Sequence, residues 1–299
     1  MTRCWWRAPL SSLHCAADPW ALQRAALAPR LPDGQGAALW DAWDWVRGKR
    51  DPLVPPRYRR YPGWRGAVTG MVSGRWVLAA FDAGELTPDG RVLDIGCGPG
   101  RIAAQLTRQL EAGSYEGFDI EPRSIRWCQG RISTRHPSFR FQLADIRNAQ
   151  YNPTGSQEAH AYSFPYPDRE FDLALAASLF THMRPREIER YVSEAARVLK
   201  PGARLLASYF LLNEDTERQL ADSRRKVLGE EQRDGGVPYR SGSGDPSTPE
   251  HMIVIFERDI RALYAAAGLE VESVRYGKWC GRPHAYLGFG QDLVVARRR

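Results

Sequence analysis

The eleven residues from Arg91 to Arg101, RVLDIGCGPGR, constrain this chain more than any other stretch. Val92, Leu93 and Ile95 make a short apolar run of the kind a buried parallel strand requires, and the glycines begin where that strand would end. Gly96, Gly98 and Gly100 alternate with Cys97 and Pro99. Glycines at this density let the backbone turn sharply and leave no β-carbon in the way of a ligand lying against the main chain. Ile102, Ala103, Leu106 and Leu110 then follow at helical spacing. The expected order is strand, glycine loop, helix, with the loop at the helix N-terminus.

A loop of this kind serves more than one ligand. In a dinucleotide-binding fold the spacing is G-x-G-x-x-G and a pyrophosphate rests on the helix N-terminus. Here the spacing is G-x-G-x-G, and Asp94 sits two residues before the first glycine. That acid would repel the phosphates of NAD and would suit a ligand carrying an amino or sulfonium charge. The stretch D-I-G-C-G-P-G resembles the first motif of the class I S-adenosylmethionine-dependent methyltransferases of the small-molecule type. The resemblance runs, in order of motifs, from about Val92 to Arg297. It implies a Rossmann-like, doubly wound α/β fold with a seven-stranded, mostly parallel sheet whose last strand is antiparallel. It also implies that Asp94, Gly96, Cys97, Gly98 and Gly100 line the site of S-adenosyl-L-methionine.

The same resemblance asks for a carboxylate at the end of the second strand, to hold the cofactor ribose. Tyr115-Glu116-Gly117-Phe118-Asp119-Ile120 supplies Asp119, with Ile120 beside it. Asp119 follows Asp94 by 25 residues, close to the spacing of about 20 for the ribose-binding acid of related nucleotide folds. Its other reading is a cap for the helix that starts at Pro122. A third strand, Phe139 to Leu143, alternates and leads to Asp145 and Ile146. In the family that Asp holds the adenine amino group; an Asp after a strand is also an ordinary turn residue.

Further along, Phe171 to Ala177 reads as a central strand, and Ser178-Leu179-Phe180-Thr181-His182-Met183 follows it. The fold class places groups facing the transferred methyl there, so Ser178 is assigned to the cofactor and Phe180 and His182 to the acceptor. His182 is the candidate general base, since an imidazole with an ordinary pKa near 6.5 can take a proton from a hydroxyl or amine. It could equally cap the helix from Pro185 to Leu199. The resemblance implies direct transfer in a desolvated site, and related enzymes often manage this by proximity without an essential base. R-V-L-K-P-G-A-R-L-L matches a later motif of the superfamily, with Lys200-Pro201-Gly202 as helix stop and Ala203 to Leu211 as the fifth strand. A charged helix from Asn213 to Leu228, a loop from Gly229 to Glu250, a helix from Phe256 to Ala267, and strands at Leu269 to Tyr276 and Gln291 to Arg297 complete the core. The link from Gly277 to Arg282 contains Trp279, assigned to the acceptor.

The domain organisation read from this pattern is an N-terminal extension and lid over residues 1–62 and a methyltransferase domain over 63–299. Insertions are expected at 148–170 and 213–250, and the polar stretch from Asn148 to Glu170 is too long for a simple connection. In the extension, a short helix from Ala37 to Arg47 carries Trp40, Trp43 and Trp45, and prolines mark a linker. A weakly amphipathic segment from Trp64 to Leu86 reads as a helix beside the first strand. Tyr58, Tyr61 and Trp64 are candidate lid residues over the acceptor, with Tyr61 and Trp64 assigned to binding it.

Composition sets the outer bounds. With 43% apolar and 26% charged residues in 299, the chain belongs among globular proteins. No run of eighteen apolar residues occurs, and the first thirty residues are broken by His14, Asp18, Pro19 and Arg24, so the expectation is a cytoplasmic protein without a membrane partner. Five cysteines without C-x-x-C spacing point to neither a disulfide framework nor a bound metal. The net charge of +7 is spread among acids except at Arg47 to Arg60 and Arg297 to Arg299, so nucleic acid is not the expected partner. The [DNS]-P-P-[YF] motif of enzymes that methylate base amines or glutamine amides is replaced here by Ala177-Ser178-Leu179-Phe180. A small organic acceptor methylated on oxygen is therefore expected, on a monomer or homodimer. Carbon transfer remains a rival, because a similar histidine occurs in mycolic-acid and cyclopropane-type enzymes. Nitrogen transfer, or RNA or protein docking on the basic Arg47 to Arg60 stretch, are the others.

Overall fold

The computed structural model describes residues 45–48, 51–55, 69–148, 151–222, 228–242 and 252–299. The chain divides into two units, one of Met1–Arg50 with Pro56–Arg60, the other of Asp51–Pro55 with Tyr61–Arg299. The first contributes only residues 45–48 to the description. Tyr58, Tyr61, Trp64, Trp40 and Trp43 lie outside the described residues, as do most of the Ala37–Arg47 helix and half of the Arg47–Arg60 patch.

In the second unit, five strands form a parallel sheet: β1 (Arg91–Ile95), β2 (Ser114–Asp119), β3 (Phe139–Leu143), β4 (Phe171–Ala176) and β5 (Leu199–Leu212), in the order β3-β2-β1-β4-β5. Two later strands, β9 (Leu269–Arg275) and β10 (Asp292–Arg298), extend it beyond β5, with β10 antiparallel to both β5 and β9. These seven strands are the sheet the sequence predicts. Three more join it: β8 (Ile253–Phe256) runs parallel to the end of β5, and β7 (Val237–Ser241) and β6 (Glu231–Asp234) continue antiparallel.

Alternation along the central strands sends side chains into two cores. Val92, Leu173, Leu175 and Leu206 face α1 (Thr69–Asp82), α2 (Arg101–Leu106) and α3 (Pro122–Cys128). Leu93, Ile95, Ala174 and Leu205 face α4 (Pro185–Val198) and α6 (Glu257–Ala266). Both faces of β1 and β4 are thus covered, which is why these strands read as continuous apolar runs. The protein is a doubly wound α/β fold.

Several boundaries differ from those expected. The helix after the glycine loop ends at Leu106 rather than near Leu110, and α3 ends at Cys128 before a wider turn over Gln129–Ser133. The Lys200-Pro201-Gly202 stop does not separate helix from strand. β5 begins at Leu199, and the chain bulges before Arg204, with Gly202 at φ 84°. The stretch from Gly229 contains the β6–β7 hairpin: Asp234 pairs with Val237 across Gly235 and Gly236, both at positive φ. A Gly-Gly pair is a hairpin signal that the charged composition obscured. The charged helix there, α5, is described over Glu214–Asp222, and residues 223–227 of its expected span lie outside the described residues.

The 148–170 segment is irregular but well packed. Tyr162 and Phe164 are buried around Phe118, whose ring lies 5.8 and 4.9 Å from theirs. Three α4 side chains hold its backbone. Glu194 accepts from the Phe164 amide at 2.8 Å, Arg190 donates to the Tyr162 carbonyl at 2.8 Å, and Arg197 donates to the carbonyls of Phe164 and Tyr166. Glu194, only 5% exposed, also pairs with Arg197 at 2.8 Å. Replacing Glu194 by Ala leaves the buried Phe164 amide without its acceptor and removes the ion pair with Arg197. Urea denaturation of that variant is expected to show a loss of about 2 kcal/mol.

Candidate functional site

The glycine loop is held by backbone bonds at both ends. The amides of Gly96 and Cys97 both donate to the carbonyl of Phe118, at 2.9 and 3.0 Å, tying the end of β1 to the end of β2. Gly96, Gly98 and Gly100 all take positive φ, at 75°, 53° and 73°. A β-carbon on Gly100 would lie 2.6 Å from Ile132 and 2.8 Å from the Cys128 sulfur, so that glycine is also required by packing. Around Gly98 the case is different: among the described residues, nothing lies within 4 Å of where its β-carbon would be. The loop therefore presents open backbone at its middle glycine.

Two carboxylates flank it. Asp94, in β1, is 1% exposed. Its Oδ2 accepts from the Tyr115 hydroxyl at 2.5 Å, while its Oδ1, also buried, has no hydrogen-bond partner among the described residues. Burial pushes the Asp94 carboxyl up to about 7, against the Tyr115 bond, which favours the ionised form. Burial also drives the Tyr115 phenol well above its ordinary range, so it remains a donor. Asp119, at the end of β2, has both oxygens engaged: Oδ2 accepts from the Gly98 amide at 2.8 Å and Oδ1 from the Glu121 amide at 2.9 Å. The surrounding protein raises its pKa, and those amides oppose the rise. Asp119 is thus tied to the loop itself. The capping role falls to Glu121, whose carboxylate accepts from the amides of Arg123 and Ser124 at the start of α3. A carboxylate just before Pro122 is a readable cap signal that the sequence reading passed over.

The remaining candidates are distributed as follows. Ile120 is partly buried against the core, and Ile146 is 2% exposed within it. Asp145 is exposed, and its oxygens accept from the Ser156 hydroxyl at 2.5 Å and amide at 3.3 Å. Cys97 and Cys128 are buried thiols, each directed at the Gly98 carbonyl at 3.7 and 3.6 Å. Burial holds both well above the ordinary thiol range, so they pack as small apolar groups.

Beyond β4 the chain turns at Ser178, a non-glycine residue at φ 58°. Such a conformation costs free energy and persists only where neighbours fix it. Here the Ser178 amide donates to the Ser208 hydroxyl at 2.8 Å, and the hydroxyls of Ser178 and Ser208 both donate to Gln291 Oε1, at 2.9 and 2.7 Å. Neither Ser208 nor Gln291 is apparent from sequence, since they meet only through the antiparallel return of β10. Phe180 is 1% exposed and stacks on Tyr209 at 5.2 Å, so its ring lies in the core. His182 ends a single helical turn over Phe180–His182 and is partly buried. Trp279 donates to Asp292 at 2.7 Å and meets Phe210 edge-on at 5.3 Å.

A second polar centre, unannounced by any motif, lies around Asp292 at the start of β10. Asp292 is fully buried and accepts from the amides of Leu211 and Gly277, from Trp279 and from Arg282. Arg282, 8% exposed, also reaches Asp215 at 2.9 Å and Thr216 at 2.7 Å on α5. No described helix is long and apolar enough to cross a membrane.

Known proteins resemble this chain in sequence and in fold. The family described as "Methyltransferase domain" matches residues 92–202, from β1 through the beginning of β5. A fatty-acid O-methyltransferase of Mycolicibacterium smegmatis is 30% identical over 47% of this chain and 45% of its own length. The phthiotriol/phenolphthiotriol dimycocerosates methyltransferase of Mycobacterium tuberculosis is 28% identical over 62% of this chain and 61% of its own. The chain therefore spans less than two thirds of the length of these relatives. In fold, it resembles a chain of the complex between the Trm112 methyltransferase activator and a methyltransferase of Haloferax volcanii. That likeness has a TM-score of 0.50 at 16% identity, covering 76% of this chain and 92% of that one. Residues 92–202, from β1 to the beginning of β5, thus carry the likeness to a methyltransferase domain.

Proposed function

We propose that the protein transfers the methyl group of S-adenosylmethionine to an oxygen of a small organic or lipid-like acceptor. The observation that carries this reading is the pairing of an open glycine backbone at Gly98 with a buried, half-satisfied carboxylate at Asp94. A bare carboxylate oxygen beside open backbone suits a cationic ligand and would repel a phosphate. Oxygen as the accepting atom is supported by the fatty-acid O-methyltransferase among the relatives.

In this reading Asp119 binds the ribose hydroxyls, held in place by the Gly98 and Glu121 amides. Asp145, oriented by Ser156, takes the adenine amino group, and Ile120 and Ile146 belong to the apolar wall beside it. Gly96, Cys97 and Gly100 fix the loop's path. When bound, the cofactor supplies a methyl group on an electrophilic sulfonium. The chain's part is to orient, to exclude water and, for some acceptors, to remove a proton. Ser178, locked by Ser208 and Gln291, fixes the turn that follows β4 and so presents His182, whose imidazole accepts the proton of a hydroxyl acceptor. Trp279, steadied by Asp292, lies against the acceptor, and Tyr61 and Trp64 are assigned to its cover.

Three outcomes test this reading. Asp119→Ala should weaken binding of S-adenosylhomocysteine by more than about 1.5 kcal/mol, roughly tenfold, in calorimetric titration. Asp94 gives a pH signature. Its carboxyl in the free protein stays protonated up to about pH 7, and a cationic ligand favours the ionised form. Binding below that pH must expel a proton, so affinity should rise between about pH 5.5 and 7 by up to roughly tenfold per unit and then level off. Asp94→Asn should bind weakly with a flat profile, and an equally steep profile in that variant would remove Asp94 from the site. His182→Ala should separate two acceptor classes. Methyl transfer to a hydroxyl should fall by roughly a hundredfold or more, and transfer to a fatty-acid carboxylate, which has no proton to lose, should fall little.

A further inference from the structure

The surface helix α3 and the turns that follow it present charge of one sign. Between Glu121 and Asp145 the sequence holds five arginines, one histidine and no acid. Burial sorts this stretch by helical period: Ser124, Ile125, Trp127, Cys128 and Ile132 are buried, whereas Arg123, Arg126, Arg131 and Arg135 are exposed. Two of the five arginines have acidic partners, Arg123 with Glu121 at 3.3 Å and Arg140 with Glu116 at 2.7 Å. Among the described residues Arg126, Arg131 and Arg135 form no ion pair. Arg131 lies over the Trp127 ring at 5.4 Å, and Arg135 donates to the Arg131 carbonyl at 3.0 Å. Elsewhere on the surface arginines are answered by acids, as Arg108 is by Asp51, Arg147 by Glu158 and Arg261 by Glu257.

Such a face works against the helix that bears it. Arg131 and Arg135 are four residues apart, a spacing at which like charges destabilise and an acid in either place would stabilise. An anionic counterpart outside the chain relieves that repulsion. Charge is all the face offers: Trp127 is buried and His136 meets Phe139 edge-on at 5.9 Å, so the bases of a nucleic acid find no exposed ring to stack on. A layer of anionic headgroups asks for charge alone. α3 begins at Pro122, three residues after Asp119, so the face starts at the end of the sheet that carries the glycine loop. We propose that the arginine face of α3 docks the protein, peripherally and reversibly, on an anionic lipid surface. The proposal rests on the reading of a lipid-like acceptor, which a bilayer would concentrate, and goes beyond it by naming where contact is made. The expectation of no membrane partner followed from the lack of a spanning segment, and a peripheral face needs none.

The test is co-sedimentation with lipid vesicles. The wild-type chain should sediment with phosphatidylglycerol vesicles at about 0.1 M salt, stay in solution with phosphatidylcholine vesicles, and leave the former at about 0.5 M salt, where surface charges are screened. Arg126→Gln, Arg131→Gln and Arg135→Gln should each weaken vesicle binding about fivefold, and the three together about a hundredfold, with the binding of S-adenosylhomocysteine unchanged. A control carrying Arg218→Gln, Arg233→Gln and Arg299→Gln removes the same charge from arginines that have acidic partners, and should bind vesicles as the wild type does. Equal losses in the two triple variants would overturn the proposal, because net charge and not this face would then be binding. So would a wild-type chain that ignores phosphatidylglycerol vesicles, whether or not it binds mixed-sequence RNA or polyglutamate instead. Vesicle and cofactor binding are read separately. A chain that docks through this face but takes no S-adenosylhomocysteine would remove the function proposed above and leave the docking surface standing, and one that takes it but ignores vesicles would do the reverse.

Discussion

The constraint on which the molecule rests is a shared acceptor. The carbonyl of Phe118 receives the amides of both Gly96 and Cys97, and through that one oxygen the end of the central strand β1 is fastened to the end of β2. The chain can make this connection only by entering the left-handed region at Gly96, Gly98 and Gly100, where a side chain would cost roughly 1–2 kcal/mol at each position. Once the turn is made, the Gly98 amide lies within reach of Asp119, and the carboxylate that ends β2 becomes part of the loop. Gly100 extends the same logic to packing, since Ile132 and Cys128 occupy the space its side chain would fill. Strand, loop and the helix of the next βα unit are fixed together.

That arrangement explains why Asp94 can be buried at all. An acid inside a parallel sheet loses its water and must find donors or remain protonated. The protein meets half of this demand with Tyr115, whose ring stacks on Phe139 at 5.3 Å and cannot swing away. The other half is left open, and the carboxyl rises to about 7 in consequence. A residue that served only stability would be expected to have both oxygens satisfied or to be apolar. That one Asp94 oxygen has no partner among the described residues marks this end of β1 as a candidate ligand site.

Most of this frame was legible in the sequence because it is written locally. The strand, glycine loop and helix from Arg91 onward, the alternation of β3 and the apolar run of β4 each follow from a short periodicity, and the seven core strands appear where those patterns fall. The errors have a common physical source. Lys200-Pro201-Gly202 looked like a separator because its residues do end helices, but β4 tolerates a bulge opposite it and the strand starts at Leu199. The β6–β7 hairpin was hidden inside a charged, glycine-rich composition, although Gly235-Gly236 carried its turn. Asp119, Asp145 and His182 could be named as candidates, whereas Tyr115, Ser208, Gln291 and Arg282 could not. Their importance comes from partners 21 to 113 residues away in the chain, and a pattern with a period of two or 3.6 carries no information over that range.

Two neighbouring residues at the start of the last strand account for much of that missing part. Gln291 takes the hydroxyls of Ser178 and Ser208 and so fixes the strained turn beyond β4. Asp292 takes the Leu211 amide on one side and Gly277, Trp279 and Arg282 on the other, and Arg282 passes the connection to Asp215 and Thr216 of α5. Because β10 runs antiparallel to β5, its first residues arrive at the same sheet edge where the parallel strands finish. The antiparallel return is thus what brings polar anchors from the C-terminal end of the chain to the side of the sheet where β4 and β5 end. The glycine-loop end of the sheet is built by local sequence at β1 and β2, and the Ser178 turn is held by a strand nearly two hundred residues after β1. Those two ends can therefore vary independently: changes in α5 or the 277–291 link alter the partners of Arg282 and Asp292 without disturbing the Phe118 carbonyl that holds the glycine loop.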